Sequence, residues 1–164
     1  MSETEYVVKD LKIVHEGVFD FKEFYKLVKS WLTLRKYDLF EKEYRESQKE
    51  ENIKEIKVGF AAEKVIDYYI KYLFDISLGV KDHKIVKGPK AQNLVQGTLT
   101  FKIDAKLQTD FEASWEGKPL LKFTRGIYDK FVKGDKYAEY KKELKDQTYE
   151  LYNELKAYLN LHKF

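Results

Sequence analysis

The chain has 164 residues, with 31 Lys and Arg against 28 Asp and Glu, and a formal net charge of only +3. It contains no Cys, which excludes disulfides, thiolate metal ligands and a cysteine nucleophile. This length and a hydrophobic fraction of 43% predict one domain over residues 1–164. The N-terminus has no signal-peptide pattern, and no uncharged apolar run reaches the ~18 residues of a membrane span, so we expect a cytoplasmic protein.

The first predicted elements are a strand and a helix. Val and Ile residues, punctuated by a glycine, predict a strand over 6–19. Asp20 and Glu23 are spaced as in a capping box, in which side chains satisfy the free N–H groups of the first helical turn. Behind them, apolar residues recur at i, i+3, i+4 and i+7, which predicts an amphipathic helix over 21–36.

Strands are predicted through the middle of the chain. A strand over 37–47 would carry Phe40, Lys42 and Tyr44 on one face, and a polar turn follows it. Alternation over 53–60 predicts the next strand.

The segment over 61–67 is interpreted as a bulge or a single helical turn. A strand over 68–80 then follows, because period-two alternation is sustained there. A helix over 61–74 is the alternative, since Ala-Ala-Glu-Lys has strong helical propensity. Lys81 to Val86 continue to a turn at 88–90.

The last third of the chain contains the clearest patterns. Over 98–111 apolar residues alternate with charged ones, which is typical of an antiparallel sheet covered by helices on one side only. Helices are predicted over 119–133 and 136–160, the first beginning at a proline and ending at a glycine. The element order is therefore β-α-β-β-β-β-β-α-α. We expect an α+β fold in which an antiparallel sheet of five to six strands carries one N-terminal and two C-terminal helices on one face.

No catalytic or metal-binding motif is apparent. The three histidines are far apart, the glycines form no phosphate loop, and no nucleophile elbow occurs. We therefore expect no catalytic residue, no metal and no cofactor.

Carboxylates on the last strand and just beyond it come closest to an acid–base arrangement, although a solvated face with ion pairs explains them better: Asp104, Asp110, Glu112 and Glu116. Asp110 and Trp115 mark the chemically most varied loop, where we would look first for a site.

Tyrosines are abundant on the last predicted helix. Buried tyrosines are expected only where their hydroxyls reach polar atoms or solvent. Tyr149 and Tyr152 lie off the main apolar stripe, whereas Tyr140 lies on it. This surplus of tyrosines favours a protein-binding face or a homodimer contact.

The basic residues indicate a solvated surface. Of the 31, 28 are Lys, whereas phosphate and base recognition favours Arg, so a nucleic-acid partner is not expected. The lysine bias fits heat adaptation or an AT-rich genome. One local excess would form a basic edge, either a solvated hairpin or a phosphate-binding edge: Lys81, Lys84, Lys87 and Lys90.

Three stretches of the chain carry a resemblance: HEGVFDFKEFYKLVKSWLTLRKYD, LQTDFEASWEGKPLLKF and YELYNELKAYLNL. On these stretches the chain resembles a family of small archaeal proteins of unknown function. The likeness spans nearly the whole length and includes a helix with a Trp-Leu pair and a long closing helix. It implies an archaeal, intracellular origin and a single compact unit, and it implies no activity.

The sequence favours a non-enzymatic protein-interaction module that contacts another protein, or itself, through the last helix. The first alternative is a binder of an apolar small molecule, because a long helix across a curved sheet resembles the helix-grip (START-like) arrangement. Its pocket would be lined by Phe101, Ile103, Tyr140, Leu144 and Leu151. Lower alternatives are an RNA- or ribosome-associated protein and an enzyme built on the carboxylates.

Overall fold

The computed structural model describes residues 2–50, 53–67, 69–90, 92–109, 126 and 134–161. These residues form five strands and two helices. In chain order they are β1 (Glu3–Phe19), α1 (Phe21–Leu34), β2 (Asp38–Glu50), β3 (Ile53–Val65), β4 (Ile70–Lys87), β5 (Asn93–Thr109) and α2 (Asp135–Leu161).

The strands form one antiparallel sheet in the order β1-β5-β4-β3-β2, so the first and last strands are neighbours. The sheet has five strands, which agrees with the lower end of the predicted range of five to six. The predicted element order has one strand too many, because Ile70–Lys87 is a single strand. It continues through an irregularity between Lys81 and Lys84, where Asp82 has a φ of 53°.

The segment around the β3–β4 turn is strand rather than helix. The predicted bulge or helical turn over 61–67 is wrong, because β3 continues to Val65. The chain then reverses at Asp67, whose carboxylate accepts hydrogen bonds from the backbone N–H groups of Tyr69 and Ile70, both at 2.7 Å. This local Asx-type bonding offers the backbone an alternative to a helical turn.

Helix α1 begins as predicted. The Asp20 carboxylate accepts a hydrogen bond from the backbone N–H of Glu23 at 3.1 Å and caps the first turn. The apolar face of α1 is buried against the sheet. Three ring contacts, with centroids 6.2–6.5 Å apart, place it over β5, β4 and β3: Phe24–Phe101, Trp31–Phe74 and Tyr25–Phe60.

Helix α2 has 27 residues and is about 40 Å long at 1.5 Å per residue. Its buried stripe follows the predicted spacing: Leu144, Thr148, Leu151, Leu155 and Leu159. The prediction of two helices after the sheet differs from the structure, whose described residues form one there and two in all. The range 119–133 lies outside the described residues except for residue 126.

The sheet has an apolar face beneath the helices and a charged face opposite, as the alternation over 98–111 predicts. On β5 the inward residues are fully buried: Leu99, Phe101, Ile103, Ala105 and Leu107. On the outer face Lys102 pairs with Asp10 at 2.8 Å, and Asp75 pairs with Lys106 and with Lys42. The architecture is therefore a two-layer α+β arrangement in which both described helices lie on one face of the sheet.

Candidate functional site

The loop around Asp110 and Trp115 lies outside the described residues, as do Glu112 and Glu116. Asp104, the remaining carboxylate of that group, accepts a hydrogen bond from the backbone N–H of Asp10 at 2.7 Å. Asp104 thus satisfies the backbone of β1 at a point where the strand register shifts.

The described part of the chain holds no group of three or more His, Asp or Glu side chains arranged for a metal ion. Of the histidines, His83 is buried, and its Nδ1 atom has no hydrogen-bond partner among the described residues. His15 lies edge to face against Phe19, with centroids 5.9 Å apart.

The tyrosines of α2 divide into two groups. Tyr137, Tyr140, Tyr152 and Tyr158 pack against the core, whereas Tyr149 is 40% exposed. The rings of Tyr149 and Tyr152 meet edge to face at 6.3 Å. The structure therefore brings Tyr149 and Tyr152 together and leaves Tyr140 half-buried against the core, so little aromatic surface is exposed on the described part of this helix.

Four tyrosine hydroxyls hold α2 against the rest of the molecule, as expected for buried tyrosines. The bonds are Tyr72 to Glu143 (3.0 Å), Tyr37 to Gln147 (2.6 Å), Tyr137 to Glu5 (2.5 Å) and Tyr140 to Asp67 (3.5 Å). Burial, which disfavours the phenolate, raises the pKa of each tyrosine, and nearby carboxylates raise it further. These hydroxyls are thus donors to neighbouring side chains and stay protonated at neutral pH.

Packed side chains occupy the space proposed for an apolar ligand. Phe101, Ile103, Leu144 and Leu151 are fully buried. The ring of Tyr140 lies 6.4 Å from that of Tyr72. A cleft of about 560 Å³ lies instead along α1, where its described lining includes Tyr25, Lys29 and Leu34.

The four lysines of the predicted basic edge lie along the second half of β4 and in the turn after it. Lys87 donates to the side chain of Asn93, and the Lys90 backbone N–H donates to that of Gln92, both at 2.8 Å. Lys84 lines a cleft of about 510 Å³ that also contains Glu16 and Asp82. The two carboxylates offset the positive charge there, which weakens this edge as a phosphate site. Lys81 is exposed on the same strand.

Strand β2 is a free edge of the sheet, which the sequence analysis missed. Among the described residues it ends the strand order and pairs with β3 alone. All of its described side chains over 38–48 are exposed except Leu39. Since the ring contacts of α1 fall on β3, β4 and β5, no described helix covers the helix side of β2 around Tyr44. Two large apolar side chains stand on this edge, Phe40 at 51% and Tyr44 at 57% exposure.

A bulge interrupts the first half of β2. Glu41 opposes Phe60 and Glu43 opposes Gly59, so Lys42 is an extra residue on this strand. Such a bulge shifts the alternation of side chains between the two faces of a strand.

The two exposed aromatic side chains therefore lie on opposite faces. Directly opposed residues in an antiparallel pair share a face. Tyr44 opposes buried Val58 and lies on the helix side, whereas Phe40 opposes Ala61 and lies on the outer side, as does Lys42. The prediction that Phe40, Lys42 and Tyr44 share a face is thus wrong for Tyr44.

The charges of β2 alternate in sign around Tyr44. In the run Lys42-Glu43-Tyr44-Arg45-Glu46, a positive residue is followed by a negative one on each side of the tyrosine. Arg45 and Glu43 form an exposed ion pair at 3.4 Å. The run is visible in the sequence, but the strand order that places it on an edge is not.

Comparison with family models, with curated proteins and with solved structures gave no match. In the described ranges, no helix is both long enough and apolar enough to span a membrane.

Proposed function

We propose that this protein is a non-enzymatic interaction module that binds an extended segment of a protein partner along the edge of β2. The observation that carries this proposal is that, within the described part of the chain, β2 has a sheet neighbour on one side only and carries exposed side chains on both faces. An extended segment added there would bond to the free backbone groups of the edge. Phe40 and Tyr44 would contact the segment on opposite faces and add specificity.

The charges of β2 set the chemistry of that segment. Charged residues on a sheet edge usually prevent pairing with other chains. On β2 the signs alternate, so a uniformly charged segment meets as many like charges as opposite ones, whereas a segment with the complementary charge order meets only opposite ones. We therefore expect a partner strand of mixed charge rather than a purely acidic or basic one.

A photo-crosslinking experiment tests this function. The photoreactive residue p-benzoylphenylalanine replaces Tyr44, and in a matched variant it replaces Tyr6, a comparably exposed aromatic on β1 (48% against 57%). After irradiation in cells of the source, we expect a protein adduct from position 44 and none from position 6. Adducts from neither position, or from position 6 alone, would overturn the proposal.

The solvent side of α2 is tested in the same way. Tyr149 and Tyr152 form the aromatic contact left on that helix. An adduct from a photoreactive residue at Tyr149, with none at Tyr44, would move the protein-binding surface from the sheet edge to α2.

A second candidate function is the binding of an apolar small molecule between the sheet and α2, as in the helix-grip arrangement. The strand order, which puts β1 beside β5, and the length of α2 favour it. A ligand there would have to displace α2, since Leu144 and Leu151 are fully buried. Native mass spectrometry of protein purified from its own cells tests this function. A small-molecule adduct supports it, and the bare polypeptide mass opposes it.

A further inference from the structure

The order of charges around Tyr44 is self-complementary when two β2 strands pair antiparallel. If two β2 strands run antiparallel with Tyr44 opposite Tyr44, then Glu43 of each copy faces Arg45 of the other. Opposite charges directly across an antiparallel pair stabilise it, and like charges destabilise it. The favourable pair forms twice, because a twofold axis repeats each contact.

Neighbouring registers lack this property. A twofold axis through Lys42, Glu43, Arg45 or Glu46 places that charged residue directly opposite its own copy. Each of these four registers therefore begins with a repulsive contact at its centre. Tyr44 is the uncharged centre of the run, and two tyrosine rings form a favourable cross-strand pair.

The faces of β2 agree with this register. Glu43 and Arg45 oppose Gly59 and Lys57, so both lie on the outer side of the sheet. Their charges would meet there, whereas the two Tyr44 rings would meet on the helix side. Because α1 lies over β3, β4 and β5, no described helix covers the helix side of Tyr44.

Resting on the proposed function, we infer that the partner is a second copy of this chain. The two β2 strands pair antiparallel about a twofold axis through Tyr44 and join the two five-stranded sheets into one continuous sheet. The helices of both copies then lie on the same side, and the outer faces form one charged surface.

Single cysteines measure the register directly, because the chain contains no Cys of its own. In the inferred dimer, the Cα atoms of residue 44 lie within the range that a disulfide spans. The Cα atoms of residue 43, or of residue 45, are offset by two positions along the strands and lie about 8 Å apart, which is too far. Under mild oxidation we expect a covalent dimer from Tyr44→Cys and little from Glu43→Cys or Arg45→Cys. Tyr149→Cys reports on α2 in the same assay.

Charge reversal tests the complementarity without cysteines. Arg45→Glu places carboxylates opposite each other twice, and we expect the dimer dissociation constant to rise about tenfold. The double variant Glu43→Arg, Arg45→Glu restores opposite charges with the same composition, and we expect it to dimerise like the wild type. Analytical ultracentrifugation measures both, and circular dichroism confirms that each variant is folded.

Each outcome separates the inference from the proposed function. A monomeric wild type, disulfides strongest at 43, 45 or 149, or a double variant as weak as Arg45→Glu would overturn the dimer. If position 44 still gave a photo-adduct with another protein, binding at the edge would stand and the second copy would be excluded. If position 44 gave neither adduct nor disulfide, both would fail.

Discussion

The two edge strands of the sheet, β1 and β2, differ in how the rest of the chain contacts them. β1 has two register shifts between Tyr6 and Leu11, where Asp10 has a φ of 56°. Near its start, Glu5 accepts hydrogen bonds from Lys141 and Tyr137 of α2. β2 has its own bulge at Lys42, but its side chains from Glu43 to Ser47 pair regularly with β3 and are exposed.

This difference determines what kind of assembly a free edge permits. A sheet whose two edges are both regular and exposed is a template for strand addition at either end, and proteins bend or cover their edges to prevent this. A chain with one irregular and one regular edge, paired through the regular edge about a twofold axis, forms a dimer that stops growing. The irregular β1 and the regular half of β2 therefore favour the proposed pairing through β2, and this pairing would end at a dimer.

The largest expected effect comes from breaking the contact of α2 with the sheet. Leu151 is fully buried in the stripe of α2. We expect Leu151→Ala to lower the free energy of unfolding by about 2–5 kcal/mol, because it removes buried methyl groups and leaves a cavity. Urea denaturation measures this loss. Hydrogen exchange should show that β1, which α2 helps to hold, loses more protection than β2.

The matched control is Tyr149→Ala on the solvent side of the same helix. Its ring is 40% exposed, so we expect a change within about 0.5 kcal/mol. Equal losses of unfolding free energy from the two variants, or equal changes in the hydrogen exchange of β1 and β2, would contradict the prediction that α2 stabilises β1 more than β2.

The next effect comes from the backbone of β1. Asp10 has a positive φ, which a β-branched residue adopts at a cost of about 1–3 kcal/mol. We expect Asp10→Val to be less stable than Asp10→Gly by about that amount. Both variants lose the carboxylate that pairs with Lys102, so their difference isolates the backbone. Thermal unfolding measures it, and equal midpoints would show that β1 straightens without cost.

Periodicity along the sequence predicts which face of each described helix and of β5 is buried. The stripes of α1 and α2 and the alternation on β5 follow from local spacing, since burial repeats every three to four residues in a helix and every two in a strand. The Asp20 cap is equally local. These features need no knowledge of which segments meet.

Features that depend on partners distant in sequence were not predicted. The face of Tyr44 depends on the bulge opposite Gly59, and the polar partners of Tyr72 and Tyr37 lie on α2, 71 and 110 residues away. The continuity of β4 through Asp82 likewise depends on its pairing with β5. The open edge was missed for the same reason, because strand order decides which strand is last.

The smallest expected effect is a pH dependence of the contact between α2 and β1. In an unfolded chain a tyrosine has a pKa near 10. Burial, aided by nearby carboxylates, raises the pKa of Tyr72 and Tyr137 in the folded protein and raises that of Tyr158 to about 12. Below pH 10 both states hold these protons, so stability does not depend on them. Above it the unfolded chain releases protons that the folded chain keeps, and the free energy of unfolding falls as pH rises.

Urea unfolding at about pH 9 and about pH 11.5, followed by phenolate absorbance, tests this sign. We expect wild-type stability to fall between the two conditions and phenolate absorbance to rise together with unfolding. Tyr137→Phe removes one of these protons and the bond to Glu5, so it should be less stable at the lower pH and lose less on going to the higher. A variant with the wild-type slope would mean that Tyr137 ionises equally in both states. The contact of α2 with β1 would then depend on the Glu5–Lys141 pair and on apolar packing rather than on the Tyr137 proton.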